Sequence, residues 1–315
     1  MTEEITLNGE VIKRGQSKEI SINIARLPTH TVIDLPVFVF RGEKDGPSVL
    51  ISAGLHGDEI NGIEVIRRLI AEKKLKPKTG TIIAVPVVNI YGFIHNSRKF
   101  PDGKDLNRSF PGNENGSLAS RIAAMMTKEI IPNIDYGIDF HTGGASKLNY
   151  PHLRTNLKIK KNVELAHAFG PPFIVNSVPP DHSFRKEAHK AGKYILTFEG
   201  GESLRFDKNT IQEGLAGIQR FLINIGICEG ESDPRKTKIL RSSRWRRASN
   251  SGLFHSAVES GQKVKRYQLL GHINDPFGEN EFKIKANKGG YIIGLNNMCV
   301  VNKGDALIHI GYEAE

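Results

Sequence analysis

Apolar, β-branched runs recur at Thr31 to Phe40, Ser48 to Ala53, Thr81 to Val88, Tyr136 to Phe140, Phe173 to Val178 and Tyr194 to Phe198. They predict strands, several of them buried on both faces. Between them the apolar positions fall at helical spacing: Glu59 to Lys74, with Ile60, Ile63, Ile66, Leu69 and Ile70 on one side, then Leu118 to Ile131, Leu157 to Phe169 and Gln212 to Ile225. Strands alternating with helices predict an α/β fold with a mixed, mostly parallel sheet flanked by helices. In such sheets ligands collect beyond the carboxyl ends of the strands.

The alternation stops near Gly226, and a polar stretch, CEGESDPRKTKILRSSRWRR, follows. A linker is expected there, dividing residues 1–228 from 229–315. Beyond it the chain is short-stranded and repeats itself: Val264 to Ile273 (VKRYQLLGHI) lines up with Val301 to Ile310 (VNKGDALIHI), each beginning 11 or 12 residues after a glycine, Gly290 or Gly252. A duplication of this length predicts a small quasi-symmetric β domain. It resembles the biotinyl/lipoyl-like barrel-sandwich hybrid. The segment joining its halves has no lysine between methionines, so Lys283, Lys285 and Lys288 are read as a solvated face rather than a swinging arm.

The composition narrows the partners. A formal charge of +10 (44 Lys and Arg, 34 Asp and Glu) suits nucleic acid, a membrane surface or an anionic ligand. The basic residues are dispersed except at Arg235 to Arg247, and no nucleic-acid-binding motif accompanies them, so nucleic acid is not expected. No apolar run reaches membrane-helix length and the N-terminal residues lack a leader's apolar stretch, so a cytoplasmic protein free of membrane is expected. Cys228 and Cys299 lie far apart in apolar contexts and read as buried thiols.

Candidate chemistry gathers at strand ends. Ala53-Gly54-Leu55-His56-Gly57-Asp58-Glu59 leaves a buried strand through glycines and enters a helix, so His56 and Glu59 can converge in a crevice mouth. Alone, such a pair is more often a cap or a surface combination. Asp139-Phe140-His141-Thr142-Gly143-Gly144 repeats the arrangement, and His141 completes three ligands with an open fourth position, as a catalytic Zn²⁺ needs. Asp139 either orients a histidine or is a plain buried, hydrogen-bonded aspartate. Glu199 closes another apolar strand before Gly200 and Gly201, where partial burial suits general acid–base work; Glu202 is the alternative, expected to face solvent. The irregular stretch Arg98 to Gly112 is dense in donors: Arg108 and Asn107 suit a substrate carboxylate, and Arg98 a developing oxyanion. Taken singly, each of these arginines is as easily a solvated surface residue.

G-L-H-G-D-E, D-L-N-R-S-F-P-G, D-F-H-T-G-G and F-E-G-G occur in this order. The chain resembles the succinylglutamate desuccinylase/aspartoacylase family, a branch of the zinc carboxypeptidase-like enzymes. The resemblance implies one Zn²⁺ per chain on His56, Glu59 and His141, with Glu199 as general base and Asn107 and Arg108 as carboxylate binders. It further implies Arg98 as carbonyl polariser and Arg154 as a further substrate contact. It implies hydrolysis of a small, anionic N-acyl amino-acid-like substrate, in a chain that can form a homo-oligomer. Two rivals stand beside this expectation: a metallocarboxypeptidase acting on peptides, and a non-catalytic metabolite-binding protein on the same scaffold.

Overall fold

Strands that are apolar along their whole length must be covered on both faces, and the chain meets this demand with one large mixed sheet. The computed structural model describes residues 4–233 and 235–313. A small hairpin, β1 (Ile5–Leu7) and β2 (Glu10–Ile12), precedes the sheet strands β3 (Ser17–Arg26), β4 (Val32–Arg41), β5 (Lys44–Ser52), β6 (Thr79–Val85), β7 (Tyr136–Gly143), β8 (Lys147–Thr155), β9 (Phe173–Asn176) and β10 (Tyr194–Glu202). The helices are α1 (Asn61–Ala71), α2 (Ile90–Ile94), α3 (Leu118–Met125), α4 (Lys160–Phe169), α5 (Phe184–Lys190) and α6 (Lys208–Asn224). The later strands are β11 (Lys238–Leu240), β12 (Ser242–Arg247), β13 (Gly252–Ser256), β14 (Lys263–Val264), β15 (Leu269–Asn274), β16 (Glu281–Lys285), β17 (Gly290–Asn296), β18 (Val300–Val301) and β19 (Ala306–Tyr312).

At the centre, β6, β5, β7 and β10 run parallel. Antiparallel β4 and β3 extend one side and antiparallel β8 the other, so the sheet is mixed with a parallel heart. The outer edge of β8 is shared: its first residues pair with β17 and its last with β9. Through β17 the sheet continues into β19 and β12, so the C-terminal residues are hydrogen-bonded to the α/β layer.

The two-residue period of each strand sorts its side chains between two cores. Val49, Ile51, Ile138, Phe140, Leu196 and Phe198 meet α1, α4 and α6 on one face. Leu50, Ile83, Val85 and Ile195 point to the other, under α3 and α5. On β7 and β10 the residues alternating with that first core are Asp139, His141, Thr197 and Glu199, so polar groups at the carboxyl ends of the parallel strands share one face. Phe140 packs at a tilt against Phe198, ring centres 5.1 Å apart, behind them. Burial of each such ring contributes about 1.5–3 kcal/mol, which makes this a rigid backing for the polar side.

In the C-terminal part a third core forms around Phe254, Ile273, Ile292 and Ile310. The repeated halves exchange their short strands: β14 of the first pairs with β17 of the second, and β18 of the second pairs with β13 of the first. The sequence repeat is thereby matched by an approximate two-fold in the pairing.

Several boundaries differ from expectation. Strand β6 stops at Val85 because Pro86 has no N–H for the ladder. The helix expected from Glu59 begins only at Asn61, leaving Glu59 in the preceding turn. The helix expected to reach Ile131 is α-helical to Met125 and then widens into a π-turn over Met126–Ile130. β3 and β8 were not anticipated: β3 carries a plain alternation of Ile20, Ile22 and Ile24, while β8 is polar and contains Pro151. Cys299 is exposed and Cys228 half-buried, not two buried thiols, because each lies at an element's end rather than in a core. No helix among the described residues is long and apolar enough to cross a membrane.

His152, on β8, is 2% exposed, and its Nδ1 donates to the Tyr150 carbonyl at 2.7 Å. Burial depresses its pKa to about 4. His309, stacked 4.6 Å from Trp245, is lowered to about 3 by burial and by the neighbouring His152 and Arg154. Because the folded values lie below the unfolded one near 6.5, the unfolded chain binds more protons in this window, and stability falls as pH drops from about 6.5 toward 4. The slope should be on the order of 1 kcal/mol per pH unit. Melting curves across this range should show it, and His152→Gln should flatten it; an unchanged slope in that variant would remove His152 as a cause.

Candidate active site

The turn after β5 presents the first donors. Gly54 adopts φ +63°, and at Gly57 a Cβ would fall 2.0 Å from the Phe93 amide nitrogen. Only glycine therefore lets this turn lie against α2. The Glu59 N–H donates to the His56 carbonyl at 3.2 Å, folding both side chains toward one point. Each residue is only 2% exposed.

His141 meets them from β7. Its Nδ1 is 3.3 Å from His56 Nδ1 and 2.9 Å from Glu59 Oε2, and His56 Nδ1 is 2.8 Å from Glu59 Oε1. The three ligand atoms lie within 4.8 Å of one another. A tetrahedral Zn²⁺ about 2.0–2.1 Å from two nitrogens holds them about 3.3 Å apart, so the spacing and the N,N,O donor set both fit such an ion.

The far side of each ring is also held. His141 Nε2 is 2.8 Å from Asp139 Oδ2, and Asp139 Oδ1 accepts from Ser52 Oγ at 2.8 Å. His56 Nε2 is 3.2 Å from Asp105 Oδ1. An Nε2–H donated to each carboxylate leaves the Nδ1 lone pairs facing the centre. Burial works against every charge here, yet coupling prevails: Glu59 and Asp105 hold His56 above its usual pKa, and Asp139 and Glu59 hold His141 well above. Conversely, His56 and His141 hold the Glu59 carboxyl well below the usual range despite burial. Three carboxylates pressing on two imidazoles favour positive charge at the centre, which a divalent cation also supplies.

Arg98 reaches this cluster, its Nη1 3.0 Å from Glu59 Oε1 and its Nη2 3.0 Å from Asp105 Oδ2. Glu199 stands opposite. It is the registered neighbour of His141 on the adjacent parallel strand and is 7% exposed. Its Oε1 accepts from Arg154 Nη1 at 3.1 Å and its Oε2 from Asn149 Nδ2 at 2.9 Å.

These groups line a cavity of about 280 Å³ that contains all eight residues expected from the sequence: His56, Glu59, His141, Glu199, Arg98, Asn107, Arg108 and Arg154. Glu202 does not line it and instead accepts from Asn297 Nδ2 at 2.8 Å. Asp139 faces the far side of a candidate ligand, its Oδ2 2.8 Å from His141 Nε2.

Four contributors escaped sequence reasoning. Asp105 could have been suspected from its place two residues before Asn107, whose N–H it accepts at 2.8 Å. Asn149 sits on the unanticipated β8. Arg185, whose Nη1 donates to the Arg154 carbonyl at 2.7 Å, lies two residues after the α5 N-cap Ser183; burial and then the Arg154 charge lower its pKa to about 10. Trp245, the only tryptophan, arrives from β12 inside the stretch read only for its basic charge.

A mixed sheet with this donor group at the ends of its parallel strands is the architecture of a deacylase family. Residues 45–225, more than half of the chain, match the succinylglutamate desuccinylase/aspartoacylase catalytic domain. The chain belongs to that family. It is 29% identical over 299 residues to the N-alpha-acetyl-L-2,4-diaminobutyric acid deacetylase of Halomonas elongata, covering 89% of this chain and 86% of that one. Among solved structures, an aspartoacylase family protein from Mesorhizobium loti superposes with a TM-score of 0.85 at 23% identity over 100% of both chains. The product-bound ectoine utilization protein EutE (DoeB) of Ruegeria pomeroyi gives 0.84 at 23% over 99% of both.

If Asp139 orients His141, Asp139→Asn should weaken Zn²⁺ affinity about 10–100-fold while the protein stays folded. Competition with a chromogenic chelator measures this; an unchanged affinity would reduce Asp139 to a structural group.

Proposed function

We propose that this chain is a zinc-dependent deacylase that hydrolyses the amide bond of a small, anionic N-acyl amino acid or related compound, with one Zn²⁺ held by His56, Glu59 and His141. The single observation that carries this reading is the convergence of the His-Glu-His group and Glu199 on one small cavity walled by arginines. A bound Zn²⁺ supplies Lewis acidity at the acyl carbonyl and the attacking water. Glu199, poised between Arg154 and Asn149, takes a proton from the water as its oxygen attacks the carbonyl carbon. The same carboxyl returns that proton to the amine nitrogen as the C–N bond breaks, releasing an acid and an amine. Arg98 stabilises the oxyanion that develops at the carbonyl oxygen. Asn107, Arg108 and Arg154, with Arg185 behind them, bind and orient the substrate carboxylate.

Residues 1–228 form the catalytic domain in this reading. Residues 229–315 form a linker and a β domain of barrel-sandwich type, supported by the exchanged short strands and the separate core. Trp245 from that part lines the cavity, whose volume of about 280 Å³ favours a small substrate over the end of a polypeptide. The similarity to an N-acetyl-diaminobutyrate deacetylase supports an N-acetylated amino acid among the candidates. Two cysteines without a disulfide suit the cytoplasm.

Glu199→Gln should lower kcat by about 10²–10⁴-fold with Zn²⁺ content unchanged, whereas His56→Ala should lose both metal and turnover. An unaltered rate in Glu199→Gln would remove Glu199 as the base.

A panel of N-acetyl and N-succinyl amino acids, with N-acetylated diaminobutyrate among them, should be hydrolysed in preference to C-terminal peptide substrates. Robust peptide cleavage without deacylation would instead establish a carboxypeptidase.

A further inference from the structure

Among the described residues, Trp245 is the one lining residue of the catalytic cavity that comes from beyond residue 228, and it is the chain's only tryptophan. It stands at the end of a row of registered partners across four strands: Trp245 on β12 opposite His309 on β19, His309 opposite Gly294 on β17, and Gly294 opposite Asn149 on β8. Registered partners project from the same face of a sheet, so the row carries the indole toward the catalytic strands. Gly294 makes this approach possible. A Cβ there would lie 3.0 Å from Asn149 Oδ1 and 3.5 Å from Trp245 Cη2, so the indole edge and the Asn149 amide flank one small space. Asn149 Nδ2 in turn donates to Glu199 Oε2 at 2.9 Å. The indole is held by its stack on His309, ring centres 4.6 Å apart and planes 12° from parallel.

Along β8 the two grips on Glu199 lead in different directions. Arg154, near the strand's end, holds Oε1 and is bonded through its carbonyl to Arg185 Nη1 at 2.7 Å. The Phe184 N–H donates to Asn107 Oδ1 at 3.0 Å, which ties that same segment to the other groups proposed to hold the substrate carboxylate. Asn149, near the start of β8, holds Oε2 and leads instead to Gly294 and Trp245. An amide is planar, and in its trans form the acyl chain and the amine substituent leave the C–N bond in opposite directions. With the carboxylate among the arginines and the scissile bond at Glu199, the lining residues left to meet the acyl chain include Gly143, Gly144, Asn149 and Trp245. We propose, resting on the deacylase reading, that Trp245 determines which acyl group is accepted, as a fixed aromatic wall that admits short acyl chains and turns away long ones. The glycines leave room for the first carbons beyond the carbonyl. The indole, set by its strand and its stack on His309, closes that room.

The test uses metal-loaded protein and the N-acetyl, N-butyryl and N-hexanoyl forms of diaminobutyrate and glutamate. In the parent, kcat/KM should fall by about tenfold or more from acetyl to hexanoyl. Trp245→Ala should raise the hexanoyl-to-acetyl ratio by about 10–200-fold, the discrimination that a single methylene commands in a fitted pocket. Trp245→Phe keeps an aromatic ring over His309 should the smaller variant fail to fold, and it should raise the ratio several-fold. A parent that takes hexanoyl as readily as acetyl, or a ratio unmoved in the folded variants, overturns the proposal. Because Trp245 is the only indole, its fluorescence reads the contact directly. In metal-loaded Glu199→Gln, where turnover is suppressed, the N-butyryl compounds should change the emission saturably, and the free amino acids, which lack the acyl group, should not. An emission indifferent to every acyl compound overturns the contact. A parent that hydrolyses none of the series removes the deacylase reading, and the Glu199→Gln titration then still decides whether Trp245 meets the acyl group.

Discussion

The Nδ1 atoms of His56 and His141 are held 3.3 Å apart with the Glu59 carboxylate against both, and the rest of the site depends on that spacing. Lone pairs facing one another so closely repel, and a buried carboxylate between them lacks solvation. The arrangement persists because each ring is anchored from behind, by Asp139 and by Asp105, and because the backbone leaves it no other place. His141 is fixed by its position on a central parallel strand, and His56 by a glycine turn pressed onto α2. A site assembled from a strand and a neighbouring turn, with both cores packed around it, is preorganised rather than gathered on binding.

Charge is distributed accordingly. The carboxylates Glu59, Asp105 and Asp139 crowd the donor group, while Arg108, Arg154 and Arg185 line the cavity beside it. The negative half suits a divalent cation and the positive half an anionic ligand. Part of the chain's charge of +10 thereby acquires a local use, while most of the remaining lysines stay dispersed. Arg98 sits against the negative half, paired with both Glu59 and Asp105.

The C-terminal strands take part in this geometry. β17 pairs with the first residues of β8, and β12 brings Trp245 to the cavity, so the stretch whose sequence reads as a linker also contributes to the cavity wall. Trp245 is itself set by its stack on His309 of β19. The expected linker near Gly226 describes a change in composition, whereas hydrogen bonding runs on past it through β11 and β12.

By itself the sequence determined the local rules. Continuous apolar runs point to strands buried on both faces, helical periods to the helices that cover them, and His-Gly segments at strand ends to the crevice they open onto. That reasoning reached His56, Glu59, His141 and Glu199, because each sits beside a strong apolar strand whose end is visible in the pattern. Tertiary structure alone decided what those residues meet. Asn149 and Arg154 reach Glu199 across β8, a strand whose polarity and proline hide it until neighbours on both edges supply the ladder. Asp105, Arg185 and Trp245 belong to a loop, a short helix and an edge strand with no shared periodicity; long-range packing brings Arg185 and Trp245 to the cavity and Asp105 behind His56. A periodic pattern encodes which face of its own element is buried; it carries no record of which distant element will lie against that face.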